Sequence, residues 1–323
     1  MPNPLWSRYS SHVVKLAVVI AFAATTALAQ VRDYNRIVVF GDSLSDTGNV
    51  AHLTFAKYGV PVPSPIGGNY TLGRFTDGYD TVPAAQNYFG VWLEQLSTSI
   101  PSHPAVTNSL DGGTNYSYGF ALTGGGTSTL QLEGGQISVQ VENMGRQVTD
   151  YLATHPKINS KTLFVVWGGA NDVLNATSPA AIANAAIQET LDIQRLIAAG
   201  ATQILVLNLP PLGLTPRLNG SLAASQTANA ASALYNSWLG TGVAVLKDFY
   251  RWRHVAIYQV NVFSLFVQIV ANPAAVSLAD IANPAQGNFA VNPDTYLFWD
   301  DLHPTTRGHN LVAEAAQKVL PAQ

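Results

Sequence analysis

Two short segments at opposite ends of the sequence carry the residue types of a serine-based acyl-transfer site. Residues 40–45 (Phe-Gly-Asp-Ser-Leu-Ser) lead an apolar run into a turn that holds Ser43, and residues 300–304 (Asp-Asp-Leu-His-Pro) hold Asp300 and His303. A serine hydroxyl is a poor nucleophile near neutral pH, so it needs a base that a third group holds in place. The sequence therefore contains a candidate nucleophile in one segment and a candidate base with its acid in the other.

The composition excludes several other kinds of chemistry. Only 11% of the 323 residues are charged and the net charge is −3, so no basic field is present to attract nucleic acid. The chain contains no cysteine, which rules out a thiol nucleophile, disulfides and thiolate metal sites. The other histidines lack the spacing of metal ligands, and we expect neither a metal nor a cofactor.

The first 29 residues have the pattern of a secretory signal peptide. Arg8 and Lys15 precede an apolar stretch, which ends in the small residues Ala27 and Ala29 that a signal peptidase requires. A membrane anchor is the alternative, but the stretch is shorter than the roughly 20 apolar residues that span a bilayer. We therefore expect a mature protein that is secreted or periplasmic, without stable membrane insertion.

Residues 30–323 alternate strand and helix patterns, and the full sequence, with 47% hydrophobic residues, can bury one large core. Short apolar runs at 37–40, 163–167, 204–207 and 255–260 predict strands, with helices at 178–200, 223–246 and from Thr305 onward. Ser178 followed by Pro179 is a helix start signal. The pattern predicts a single domain with a parallel sheet covered by helices, in which the strands near 163–167 and 204–207 are parallel.

In open parallel sheets, ligands bind beyond the carboxyl ends of the strands. Ser43 follows the first predicted strand, Asn171 follows the strand that ends at Trp167, and His303 precedes the last helix. We therefore expect all three side chains on one rim of the sheet.

The nucleophile turn differs from that of the α/β-hydrolases. Their serine lies in Gly-x-Ser-x-Gly, whereas position 45 here is a serine. Their acid also precedes the histidine by a long interval, whereas Asp300 lies three residues before His303, close enough for one turn of backbone to aim the carboxylate at the imidazole. Both differences point away from that fold.

The chain resembles the GDSL, or SGNH, hydrolases through four blocks in the family's order. These are residues 40–45, 115–119 (Asn-Tyr-Ser-Tyr-Gly), 169–172 (Gly-Ala-Asn-Asp) and 300–304, and residues 73–78 resemble a segment of the larger, secreted branch. The resemblance implies a three-layer α/β/α fold with a parallel, flavodoxin-like sheet. It also implies ester hydrolysis through an acyl-enzyme.

Roles for individual residues follow from the resemblance and from where charge develops in acyl transfer. Ser43 is the expected nucleophile, His303 the base and Asp300 the acid that orients the imidazole. The family supplies oxyanion donors from the backbone amides of Ser43 and Gly119 and from the Asn171 side chain. The family's second block usually has a small residue after its glycine, but here Phe120 follows Gly119.

Several nearby residues have structural interpretations. Asp42 and Asp46 flank the serine, and we expect their carboxylates to hold the backbone of the turn through hydrogen bonds. His309 has no acid three positions before it, so we assign it no catalytic role. The glycine cluster at 124–126 lacks the lysine of a phosphate-binding loop and is interpreted as a flexible loop.

The substrate is left open by the sequence. Aromatic residues between Tyr58 and Trp92 could line a cleft for an acyl chain or a sugar, or could simply pack. Short-chain esters, carbohydrate esters and lysophospholipids all remain candidates, as does acyl transfer to an alcohol. A noncatalytic carbohydrate- or lipid-binding module on the same scaffold is the least favoured alternative, and the oligomeric state is undetermined.

Overall fold

The computed structural model describes residues 34–64, 69–78, 87–100, 106–132, 135–288 and 290–321. The predicted signal peptide, residues 1–29, lies outside the described residues. Within these ranges, no helix combines the length and the apolar character that crossing a bilayer requires.

Strands and helices alternate along most of the described chain. The strands are β1 (Arg36–Gly41), β2 (Thr127–Leu132), β3 (Ile137–Glu142), β4 (Thr162–Trp167), β5 (Gln203–Leu207), β6 (Ala256–Val260), β7 (Asp280–Pro284) and β8 (Tyr296–Phe298). The helices are α1 (Asn49–Tyr58), α2 (Trp92–Thr98), α3 (Met144–Thr154), α4 (Ala170–Asn175), α5 (Pro179–Ala198), α6 (Pro216–Asn219), α7 (Leu222–Phe249), α8 (Val262–Ala271) and α9 (Thr306–Val319). The predicted strands and long helices are confirmed, with ends that differ by at most three residues.

The central sheet has four parallel strands in the order β1, β4, β5, β6. Val38 pairs with Phe164 across β1 and β4, and Val165 pairs with Leu205 across β4 and β5. The predicted parallel pairing of the strands near 163–167 and 204–207 is therefore confirmed. On its outer side, β1 also bridges to Asn115, so residues 114–116 extend the sheet at that edge.

Both faces of this sheet are covered by helices, because its strands are apolar on both sides. One face packs against α2, α8 and α9, and its core includes Val39, Val165 and Leu205. The opposite face packs against α3, α5 and α7, and its core includes Phe164 and Val206. The predicted three-layer α/β/α fold is confirmed.

The start of α5 shows how local sequence fixes an element. The Ser178 hydroxyl accepts a hydrogen bond from the Ala181 amide at 3.2 Å, and Pro179 occupies the first helical position. This is the cap that the sequence predicts. The segment between β4 and this helix, which includes the short α4, leaves the carboxyl end of β4, the edge on which the candidate site lies.

Candidate active site

Ser43, His303 and Asp300 form a continuous chain of hydrogen bonds. The Ser43 Oγ lies 2.9 Å from His303 Nε2, although 260 positions separate the two residues. His303 Nδ1 lies 2.7 Å from Asp300 Oδ2. A carboxylate can only accept, so Nδ1 carries the proton and Nε2 is left to accept the serine hydroxyl. All three residues are buried, with 6%, 8% and 7% exposure for Ser43, His303 and Asp300.

The carboxylate of Asp300 is held by four donors. Its Oδ1 accepts the backbone amides of Leu302 at 2.7 Å and His303 at 2.6 Å, and its Oδ2 accepts the Tyr70 hydroxyl at 2.8 Å as well as the imidazole. Burial alone would raise the pKa of Asp300, but the charge of His303 and these hydrogen bonds outweigh it, so the pKa lies below its usual value. Asp300 is therefore ionised and oriented by its own loop.

The turn that carries Ser43 is fixed from both sides. The Asp42 Oδ1 accepts the Leu44 amide at 3.0 Å. The buried Gln147 side chain brackets Gly41, accepting its amide at 3.0 Å and donating to its carbonyl at 2.9 Å. A side chain at Gly41 would place its Cβ 2.4 Å from the Trp167 carbonyl oxygen, which explains the glycine before the turn.

Asp46 holds the loop that follows the nucleophile. Its Oδ1 accepts the amides of Gly48 at 2.8 Å and Asn49 at 2.7 Å, and its Oδ2 accepts the amides of Val50 and Gly119. The expected structural roles of Asp42 and Asp46 are therefore confirmed. Burial raises the pKa of Asp42 to about 7 and that of Asp46 to about 6, in both cases against the backbone hydrogen bonds that lower it.

Residues 70–77 form a brace for the catalytic loop at 300–304, and sequence reasoning missed the contacts that make it one. The Thr76 hydroxyl donates to the Pro304 carbonyl at 2.9 Å. The Asp77 carboxylate accepts both the amide of Thr306, at 2.5 Å, and its hydroxyl, at 2.9 Å. The Phe75 ring lies against the His303 ring, with 5.1 Å between centroids. The family-like pattern at 73–78 and the aromatic residues between Tyr58 and Trp92 pointed to this segment but not to its contacts with the loop at 300–304.

Asn171 lies at the start of α4 and is tied to the loop that follows Gly119. Its side-chain nitrogen donates to the Ala121 carbonyl at 3.0 Å, which uses one of its two N–H groups. Asp172 accepts the amide and the hydroxyl of Thr123 at 3.0 and 2.9 Å. Gly169 has a φ of 95°, and a Cβ there would lie 2.2 Å from the Tyr235 ring. The block at 169–172 therefore fixes Asn171 from both sides.

The Gly119 amide, an expected oxyanion donor, already has a hydrogen-bond partner in the structure. It donates to the buried Asp46 Oδ2 at 2.9 Å, so it is not free to bind an oxyanion. The following residue, Phe120, has a left-handed backbone with a φ of 67°. Among the described residues, the Phe120 amide has no hydrogen-bond partner. In the sequence, the bulky Phe120 directly after Gly119 was the one sign that this block differs from the family pattern.

A cavity lies at the expected rim of the sheet, beyond the carboxyl ends of the strands. Ser43, Asn171 and His303 line it together, so the structure brings the three predicted side chains to one place. The Ser43 amide has no hydrogen-bond partner among the described residues and is available to a ligand. The remaining lining residues are Leu44, Trp167, Ala170, Pro210, Pro211, Leu212, Thr215, Phe266, Phe298, Leu302 and Pro304.

Other titratable groups do not compete with this arrangement. His309 is fully buried on α9, and burial, assisted by the charge of His303, lowers its pKa to about 3, so its ring is neutral. In the part of the chain that the structure describes, no group of three or more His, Cys, Asp or Glu residues could hold a metal ion. The geometry supports a nucleophilic hydroxyl, a base and an orienting carboxylate.

Comparison with known proteins gives one family match. The family model for GDSL-like lipase/acylhydrolase matches residues 37–316. This range includes all four sequence blocks and every residue of the hydrogen-bonded chain.

Three curated relatives show the range of named activities. A phosphatidylcholine-sterol acyltransferase from Aeromonas hydrophila is 26% identical, with 90% of this chain and 91% of the relative covered. GDSL esterase/lipase 6 from Arabidopsis thaliana is 26% identical, with 92% and 88% covered. The secreted effector protein SseJ from Salmonella typhimurium is 28% identical, with 87% of this chain but 62% of the relative covered.

Proposed function

Because the chain belongs to the GDSL-like lipase/acylhydrolase family, we propose that it hydrolyses carboxylic esters through an acyl-enzyme formed on Ser43. The observation that carries this proposal is the hydrogen bond of 2.9 Å between Ser43 Oγ and His303 Nε2, with the other ring nitrogen on Asp300. This geometry gives the imidazole one free acceptor, and it points at the serine hydroxyl.

The reaction follows from that arrangement in two halves. Ser43 Oγ attacks the ester carbonyl carbon while His303 Nε2 takes the hydroxyl proton, and His303 then gives this proton to the alcohol as the ester C–O bond breaks. A water molecule next attacks the acyl-enzyme, with His303 again taking the proton and returning it to Ser43 as the acid leaves. Asp300 stays ionised and stabilises the imidazolium during both halves.

The oxyanion formed in each half needs donors that are free in the resting protein. The Ser43 amide and the second N–H of Asn171 meet this requirement. We place the third donor at the Phe120 amide instead of Gly119, because the Gly119 amide is occupied by Asp46. The next residue along the chain, Ala121, accepts the Asn171 side chain on its carbonyl at 3.0 Å, so the backbone that follows Phe120 lies beside another proposed donor.

Acyl transfer is a second candidate function. An acyl-enzyme can pass its acyl group to an alcohol as well as to water, and one relative is named an acyltransferase. A lysophospholipase activity would use the same chemistry. A noncatalytic binding module is disfavoured, since binding alone does not require a serine, an imidazole and a carboxylate in sequence.

Secretion is proposed from the N-terminal pattern. Residues 1–29 have the charge, apolar stretch and small-residue ending of a signal peptide. A relative that is named as a secreted effector supports the proposal. Sequencing the N-terminus of the mature protein from culture medium or periplasm would test it, and an intact Met1 would contradict it.

The central experiment for the proposed function is covalent labelling. A fluorophosphonate should add one adduct per chain at Ser43, and Ser43→Ala should lose both the adduct and the hydrolysis of p-nitrophenyl acetate. The exposed Ser237 on α7 provides a matched control, because Ser237→Ala should retain both. An adduct on any other serine would contradict the assignment.

A further inference from the structure

The cavity beside Ser43 is small, apolar and enclosed by buried side chains. We propose, on the basis of the proposed ester hydrolysis, that it is the acyl pocket and that it selects acyl groups of two to four carbons, from acetyl to butyryl. The site then takes short-chain esters and excludes long-chain fatty acyl esters.

The size of the cavity sets this limit. Its volume is about 30 Å³. A single water molecule requires about 10–15 Å³ of such space. The cavity therefore has room for two or three atoms of that size beyond the carbonyl carbon, which corresponds to the one to three further carbons of acetyl, propionyl and butyryl groups.

The walls come from separate elements and are closely packed. Trp167 ends β4, Phe266 lies on α8 and Phe298 ends β8, and their exposed fractions are 2%, 2% and 1%. The Trp167 ring also packs edge-on against Trp92, with 5.5 Å between centroids. Because protein interiors pack as densely as organic crystals, enlarging the cavity would require these elements to separate.

The polarity of the walls assigns the cavity to the acyl side of the ester. Apart from the residues of the site itself, its polar side-chain groups are the Thr215 hydroxyl, which donates to the Leu212 carbonyl at 2.7 Å, and the single indole N–H of Trp167. A sugar or glycerol alcohol would bring several hydroxyls into this space without partners, at a cost of about 1–3 kcal/mol each. A short hydrocarbon needs no partners.

A larger apolar groove, on the face of the sheet that α5 and α7 cover, offers no extension. It has a volume of about 720 Å³ and lies between α4, α5 and α7, lined by residues that include Val173, Ile182 and Leu234. Among the described residues, it shares no lining residue with the cavity of Ser43. A long acyl chain on Ser43 therefore has no continuous channel into it.

The test is the chain-length profile of the full-length protein. p-Nitrophenyl esters from acetate to octanoate would be compared by kcat/KM under one condition. We expect the maximum between acetate and butyrate and a fall on the order of 100-fold by octanoate. An octanoate rate equal to or above the acetate rate would overturn the pocket assignment and leave the proposed hydrolysis intact.

Two variants that enlarge the cavity test whether its size limits the acyl chain. Phe266→Ala and Leu212→Ala shorten two different walls, and each should raise the octanoate-to-acetate ratio at least about tenfold. Leu239→Ala is the matched control, because Leu239 is equally buried at 2% but lies on α7 away from the cavity, so its ratio should stay that of the wild type. The ratio does not depend on how much of each variant folds.

The outcomes separate the two proposals. If neither wall variant changes the ratio while Leu239→Ala behaves like the wild type, the acyl group does not enter this cavity and the inference is wrong. If no ester of any length is hydrolysed although Ser43 takes a fluorophosphonate, the proposed hydrolysis fails and the pocket assignment falls with it.

Discussion

The Tyr70 hydroxyl donates a 2.8 Å hydrogen bond to Asp300 Oδ2, the same oxygen that accepts the imidazole of His303. Tyr70 and Asp300 are 230 positions apart in the chain. Burial and the neighbouring carboxylate both raise the pKa of Tyr70, so the phenol stays protonated and acts as a donor. The acid of the candidate triad is thus oriented by a residue near the nucleophile's end of the sequence.

Removing this phenol should slow turnover without unfolding the protein. Tyr70→Phe keeps the ring that packs edge-on against Trp299 but removes the donor to Asp300. Since a hydrogen bond to a charged group contributes about 1.5–3 kcal/mol and only part of it reaches the transition state, we expect kcat to fall about 3- to 10-fold with little change in KM. Steady-state kinetics on p-nitrophenyl acetate would measure this.

Tyr58 provides the control for that variant. Its hydroxyl donates to the Ser138 carbonyl at 2.8 Å and accepts the Ser138 amide at 3.0 Å, away from the site. Tyr58→Phe also loses a tyrosine hydrogen bond, and it should leave kcat unchanged. Equal losses in the two variants would mean that Tyr70 acts only through general stability.

Asn171 should behave as an oxyanion donor. Asn171→Ala is expected to reduce kcat by about 100- to 1,000-fold, the usual effect of losing one preorganised donor. Asn175→Ala is the matched control, because Asn175 lies one turn later on the same helix and donates to the Asn171 carbonyl at 2.8 Å. A decrease of less than tenfold in Asn171→Ala would place the donor elsewhere.

Gly119→Ala should reduce activity although it leaves every backbone amide in place. The new Cβ would lie 2.4 Å from the Phe75 ring, and that ring contacts the His303 ring. We expect kcat to fall about tenfold, because a displaced Phe75 ring would shift the His303 imidazole that it contacts. A smaller side chain at 75 should relieve the clash, so the double variant with Phe75→Leu should recover activity relative to Gly119→Ala; no recovery would contradict this route.

Asp42 should make the protein less stable as the pH rises. Burial raises its pKa to about 7 in the folded state, against about 3.9 in the unfolded chain. Between these values the folded state holds a proton that the unfolded state has lost, so the free energy of unfolding decreases by up to about 1.4 kcal/mol per pH unit, and above pH 7 this decrease stops. Asp42→Asn should remove the contribution of Asp42 and make the slope shallower, while buried acids such as Asp46 keep theirs, measured by urea denaturation at pH 4.5 to 8.

The comparison that matters in that experiment is the slope, since the amide at position 42 changes the absolute stability at every pH. Asp248→Asn is the control, because the side chain of Asp248 is 77% exposed and pairs with Arg251 at the surface. It should keep the slope of the wild type. A wild-type slope in Asp42→Asn would show that another buried acid is responsible.

Much of the fold could be predicted from the sequence because each signal was local. The apolar runs at 163–167 and 204–207 are buried on both faces, and a strand of a covered parallel sheet requires this pattern. Ser178 and Pro179 mark the start of a helix through the chemistry of its first turn. The site followed from the same signals, since parallel strands bring Ser43 and Asn171 to one edge.

The parts that could not be predicted depend on pairings across the chain. Nothing near Tyr70 in the sequence shows that its hydroxyl reaches Asp300, and nothing near Asp46 shows that it accepts the Gly119 amide. Such contacts depend on how loops pack against each other, and no periodic pattern in the sequence predicts them. The Gly119 amide is an example, because the sequence pattern gives the position of the glycine and does not show that its amide donates to Asp46.

The separation of Ser43 from His303 has a consequence for biosynthesis. A ribosome makes the nucleophile turn early and the imidazole loop 260 positions later, and that loop is held by the Asp77 carboxylate on Thr306 at the start of the last described helix. A nascent chain therefore carries Ser43 without its imidazole partner until at least 260 further residues have been made. We expect the proposed activity to begin only after that helix has docked.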